Sequence, residues 1–122
     1  MPANIFLFLG LTFIVIHEMD AVRCKEWRMI AGLNLIGNRQ GMILFLLAHI
    51  PIYTFIFYWF ENLLANQNNF RTGFNLFLMI HLVLHILFLK HKNNEFKDWV
   101  SWTIIVAAAL FGLLDLLSFH SS

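Results

Sequence analysis

Six ionisable side chains, His17, Asp20, His49, His81, His85 and Asp115, stand inside or at the edge of long apolar stretches of this sequence. A charge at the centre of a membrane helix costs about 2.5–3.5 kcal/mol on insertion scales, so such residues are kept where they pair, bind or react. Neutral imidazoles with a carboxylate are the ligand set that zinc, iron and manganese accept. His81 and His85, at i and i+4, project from one helical face and suit a single ion, while His17, Asp20 and Cys24 recur at i, i+3 and i+7 on another. At 1.5 Å per residue, His17 lies about 9 Å in from Arg23 and His49 about 12 Å in from Gly41. By the same rise, His85 and His81 lie about 7 and 13 Å in from Lys90. Four imidazoles from three segments therefore share one layer, whereas Asp115, about 25 Å from Asp98, falls at the opposite end.

The elements that must carry these residues follow from composition. Of 122 residues, 60% are hydrophobic and only 12% charged, against roughly 25% charged in a soluble domain. Membrane-spanning helices need roughly 17–25 largely apolar residues, and four spans fit the chain, at about 4–22, 41–60, 73–90 and 98–119. The expected fold is all-α, a single integral-membrane four-helix bundle over 1–122. The first span is read as a permanent helix, because residues 1–4 carry no side-chain charge and the apolar run ends in His-Glu without a small-residue cleavage site. Residues 25–40 read as an extension of that helix followed by an interfacial loop, with Trp27 as an interfacial anchor.

Basic residues suggest an orientation. Arg23, Lys25, Arg28 and Arg39 fall between the first two spans and Lys90, Lys92 and Lys97 between the last two, leaving Arg71 on the other side. Those two connections are expected in the cytoplasm, with both termini outside it, in the inner (plasma) membrane. A formal charge of +1 with scattered basic residues argues against nucleic acid as a partner. One cysteine, Cys24, excludes an internal disulfide and a cysteine zinc cluster. The expected partners are membrane lipid and a lipid or small-molecule substrate, with a homo-oligomer left open.

Within the polar layer the roles divide by phase and chemistry. A catalytic zinc takes three protein ligands and leaves a position for water, so His17, His81 and His85 are the expected ligands, with His49 as fourth ligand or as a donor behind them. Asp20 is the expected base or imidazole-orienting carboxylate, and Glu26 an alternate base at the mouth. Glu18 points about 100° from His17 and is the weaker candidate. Tyr53, one turn beyond His49, can donate to the same layer, and Pro51 is expected to open the turn before it. The segment 17–21 is not HExxH, since position 21 is Ala, and no GxSxG, P-loop or GxGxxG occurs. The reading this favours is a metal-dependent hydrolase, zinc first with iron or manganese as alternatives, acting on a lipid or lipid-like substrate at the cytoplasmic leaflet. Three others stay open: histidines that bind haem, a proton path, and an assembly protein whose polar lattice only fixes helix register.

His17-Glu18-Met19-Asp20-Ala21, Glu26-Trp27, Gly41, Ala48-His49-Ile50-Pro51 and the pair His81 and His85 together carry a resemblance. The pattern resembles a family of uncharacterised small bacterial four-helix membrane proteins with an HExDA…EW signature. More loosely it is similar to the HXXEE family, described as candidate membrane metal-binding proteins. The resemblance implies that His17, Asp20, Glu26, His49, His81 and His85 form a shared polar set, and it implies no reaction. Asp20-Ala21 stands where the HXXEE pattern has two glutamates, so the resemblance does not carry over a dinuclear carboxylate-rich site.

Overall fold

The computed structural model describes residues 4–62 and 68–121, with side chains over 4–59 and 69–118. Its four helices are α1, Ile5–Arg23; α2, Asn38–Asn62; α3, Asn68–Leu87; and α4, Trp99–Ser121. Each contains a window long and apolar enough to cross a membrane, and no strand occurs among the described residues. A helix satisfies its interior backbone groups within itself, which is what hydrocarbon demands of a spanning segment.

The connection after α1 departs from the expected helical extension. The Cys24 N–H donates to the Asp20 carbonyl at 2.8 Å, and Lys25 then turns left-handed at φ 52° and ψ 51°, a conformation costing a non-glycine residue about 1–2 kcal/mol. The reversal leads into a 3-10 turn, Glu26–Met29, that buries Trp27 and Met29. Trp27 is thus a core residue rather than an interfacial anchor. Its Nε1 donates to Asn38 Oδ1 at 3.0 Å and its ring packs on Phe45, centroids 5.7 Å apart. Gly41 makes room, since a Cβ there would stand 2.8 Å from Trp27 Cδ1. With Asn38 engaged, α2 begins before the expected residue 41, and it runs unbroken through Pro51.

The other three helices pack closely, with α4 against both α1 and α3. A Cβ at Gly10 would approach Leu78 Cδ1 to 3.0 Å, and one at Gly112 would approach the same side chain to 3.1 Å. These glycines therefore let α3 seat Leu78 between α1 and α4, the small-residue contact by which membrane helices gain packing without a hydrophobic driving force. By contrast, α2 makes its main contacts with the 3-10 turns Glu26–Met29 and Leu33–Leu35. It is held off the other helices by those turns, leaving a gap whose walls include Ile52, Ile56, Phe74 and Phe77.

At the end where α1 begins, Arg71 crosses to α4. Its Nε donates to Asp115 Oδ2 at 2.7 Å, its Nη2 to Asp115 Oδ1 at 2.5 Å, and its Nη1 to Asn4 Oδ1 at 2.6 Å. Asn75 Nδ2 adds a bond to Asp115 Oδ2 at 2.6 Å. This two-pronged pairing satisfies a fully buried carboxylate and ties three helices together. At the opposite end, Asp98 precedes α4 and accepts the Ser101 N–H at 2.9 Å, an N-terminal cap of the usual kind. That bond, with Arg23 nearby, holds the Asp98 carboxyl below the usual carboxylate range.

Candidate metal centre

His17 lies one turn and a half before the end of α1, fully buried. The left-handed Lys25 reverses the chain so that Glu26, on the following 3-10 turn, comes back beneath it. Opposite, α3 presents His81 and His85 one turn apart. Their rings meet edge-on, with centroids 4.4 Å apart for His17 and His81, 4.9 Å for His17 and His85, and 4.5 Å for His81 and His85. Phe96, from the connection before α4, closes the floor, 5.5 Å from the His17 ring and 4.7 Å from that of His85. It is held by Trp102 Nε1 donating to its carbonyl at 2.7 Å and by its N–H donating to Asn94 Oδ1 at 3.0 Å.

One ligating atom from each of His17, Glu26, His81 and His85 lies within 4.8 Å of the others. His85 Nε2 stands 3.2 Å from His81 Nε2 and 3.3 Å from Glu26 Oε1, and His17 Nε2 stands 3.9 Å from that same oxygen. Ligands 2.0–2.1 Å from zinc at tetrahedral angles are about 3.3–3.4 Å apart. Two of the three separations match that figure and the third exceeds it by about half an ångström. Neither nitrogen of His17 has a hydrogen-bond partner, nor does His81 Nδ1. Leaving a buried polar group unsatisfied costs about 1–3 kcal/mol, so a ligand for these nitrogens has a clear energetic opening. Glu26 and His81 line a cavity of about 300 Å³ toward Leu84 and Phe88. They also line the gap along α2, of about 550 Å³.

His49 stands apart from the four. Its Nδ1 contacts the Phe45 carbonyl at 2.6 Å, and its Nε2 lies 2.6 Å from Glu18 Oε2. A carbonyl only accepts, so Nδ1 is the donor in the first contact. Glu18 and His49 thus face each other across the gap between α1 and α2, with the Tyr53 ring 5.9 Å from the imidazole. Glu18, the weaker candidate by phase, lines the same cavity as Glu26 and His81.

Asp20 is also outside the cluster. It accepts from Ser101 Oγ at 2.5 Å and from Arg23 Nε at 2.7 Å, and Arg23 in turn reaches Ser101 Oγ at 2.9 Å. It therefore fastens α1 to α4 and orients no imidazole. Cys24 sits within this network, and burial raises its thiol pKa above the ordinary value against a hydrogen bond from Ser101 that lowers it. Asp115, expected at the far end, is there with Arg71. Phe96 had no signal in the sequence, being a single aromatic in a polar connection.

Over residues 3–122 the chain matches the family of unknown function DUF6713, and it belongs to that family. No curated protein and no solved structure matches it.

Proposed function

We propose that the chain is a membrane-embedded metal-binding protein and a metal-dependent hydrolase of a lipid or lipid-like substrate, working at the cytoplasmic leaflet. The observation that carries this is the convergence of His17, Glu26, His81 and His85 within 4.8 Å, with His17 otherwise unpartnered. In this reading His17, His81 and His85 hold the ion, zinc before iron or manganese, and Glu26 faces the cavity mouth. Zinc there would supply the Lewis acidity that polarises an acyl carbonyl and makes water nucleophilic near neutral pH. Glu26 takes the proton from the attacking water as its oxygen bonds to the acyl carbon. The carbon–oxygen bond to the leaving group then breaks, and Glu26 returns the proton to the departing alkoxide. Phe96 and the apolar cavity walls exclude competing water.

The basic residues Arg23, Lys25, Arg28, Lys90, Lys92 and Lys97 flank this end of the bundle, which favours a cytoplasmic placement of the site. The looser likeness to the HXXEE pattern runs in the same direction. Haem fits less well, because the three imidazoles already touch one another and leave no room between them for a macrocycle. Elemental analysis of the purified, detergent-solubilised protein tests the metal reading. About one equivalent of zinc or another divalent ion is expected, lost in His81→Ala and in His85→Ala. Wild-type protein with no stoichiometric metal after zinc loading would end it.

A further inference from the structure

We infer that the gap between α2 and α3 is a groove for one acyl chain of a membrane lipid, with the lipid's polar linkage beside Glu26 and His81. This rests on the lipid-hydrolase reading above and gives that site its substrate geometry. Two cavities, of about 550 and 590 Å³, run along α2 and share Ile52, Ile56, Phe74 and Phe77 as lining residues. The first holds Glu18, Glu26, His49 and His81 in its wall; the second continues past Pro51 and Phe55 to Phe70 and Gly73, with no ionisable side chain among the described residues of its lining. One end of the groove is therefore polar, and the other is apolar over its described lining. That is the division an amphiphile carries.

Its length fits a single chain. From His81 to Phe70 along α3 is about 16 Å, close to half of a hydrocarbon core of roughly 30 Å, and so about the reach of one lipid tail. The gap is not a packing defect of small consequence, since α2 is braced away from the other helices by the turns around Trp27 and Leu33. Nor does bulk fill it at its far end. Gly73 lines the second cavity, and a Cβ added there would meet nothing within 4 Å. An apolar slot between helices inside a bilayer has lipid tails as its available filling, and dispersion contacts reward their entry.

The full chain, reconstituted in phosphatidylcholine vesicles doped with phosphatidylcholine bearing a photoreactive diazirine midway along one tail, tests this. Cross-links mapped by mass spectrometry are expected to concentrate on Ile52, Ile56, Phe74 and Phe77 relative to Leu113 and Leu117, which are exposed on α4. Gly73→Phe places a ring in the open space and should cut groove labelling about ten-fold by displacing a few methylenes, leaving Leu113 and Leu117 unchanged. Ile56→Trp should do the same from the facing helix, should Gly73→Phe not fold. Labelling spread evenly over groove and outer face, or groove labelling indifferent to both variants, overturns the inference. Zinc content of the same samples separates the two readings. Metal-free protein with concentrated groove labelling refutes the metal centre alone, and metal-replete protein with even labelling refutes the groove alone.

Discussion

Replacing His17 by leucine should have opposite effects on the metal-free and metal-loaded protein. His17 is fully buried, and neither ring nitrogen has a hydrogen-bond partner. An apolar side chain of similar size removes that unsatisfied group, worth about 1–3 kcal/mol. It keeps the contacts with Phe96 and with the rings of His81 and His85. In chelator-treated samples, His17→Leu is thus expected to be more stable than wild type by about that amount, less whatever imperfect packing costs. With free zinc at about one thousand times its dissociation constant, wild type should gain about 4.1 kcal/mol by mass action. The variant should gain almost nothing, and the order of stabilities should reverse. Equilibrium unfolding in mixed micelles, followed by tryptophan fluorescence with and without zinc, reads both halves. Metal-free His17→Leu falling several kcal/mol below wild type would mean the imidazole has a partner that the geometry does not contain. Equal zinc stabilisation of both proteins would remove His17 from the ligand set. Either result refutes the reasoning, and the two fail at different steps.

Glu26→Gln keeps the shape at the cavity mouth and removes the proton acceptor of the proposed reaction. Turnover of a lipid ester is expected to fall about 10²–10⁴-fold with zinc retained, whereas loss of zinc instead would make Glu26 a ligand. Asp115→Ala removes a fully buried carboxylate that accepts from Arg71 and Asn75 and should destabilise the protein by about 3–5 kcal/mol while leaving zinc stoichiometry intact. The Cys24 thiol, buried and raised in pKa by that burial, should stay protonated at pH 8. It should react with a water-soluble maleimide only on unfolding, and fast labelling of the folded protein would contradict its placement between Asp20 and Ser101.

Depth was legible in the sequence because 1.5 Å per residue holds along any helix. That rule puts His17, His81 and His85 at one level without knowledge of neighbours. Direction around the helix was less so. Asp20 at i+3 stands about 60° from His17, close enough to share a face by pattern. Yet that angle is the difference between facing the histidines of α3 and facing Ser101 on α4. Glu26 lay beyond the helix, where counting rises fails, and only the left-handed Lys25 returns it to the level of His17. His49 has the right depth, but its helix is braced outward, so its imidazole meets Glu18 instead of the cluster. Arg71 and Asp115 are 44 positions apart, and nothing local marks either as the other's partner.

The two ends of the bundle treat buried polarity by different rules, and the contrast bears on what the histidine layer is for. At the Asp115 end both carboxylate oxygens are bonded, by Arg71 and Asn75, and Arg71 is further tied to Asn4. Pairing of that kind fixes helix register, because the buried carboxylate meets its counterpart on both oxygens. If the other layer served only register, the same solution was open to it, and the sequence has the carboxylates to close it in Glu18 and Asp20. Instead Glu18 goes to His49 and Asp20 to Ser101. Three imidazoles are left facing one carboxylate at near-ligand spacing, with His17 bonded to nothing. A layer that leaves both nitrogens of a buried imidazole without a partner, in a protein that pairs the buried carboxylate of its other polar layer on both oxygens, is best understood as a layer whose missing member comes from outside the chain.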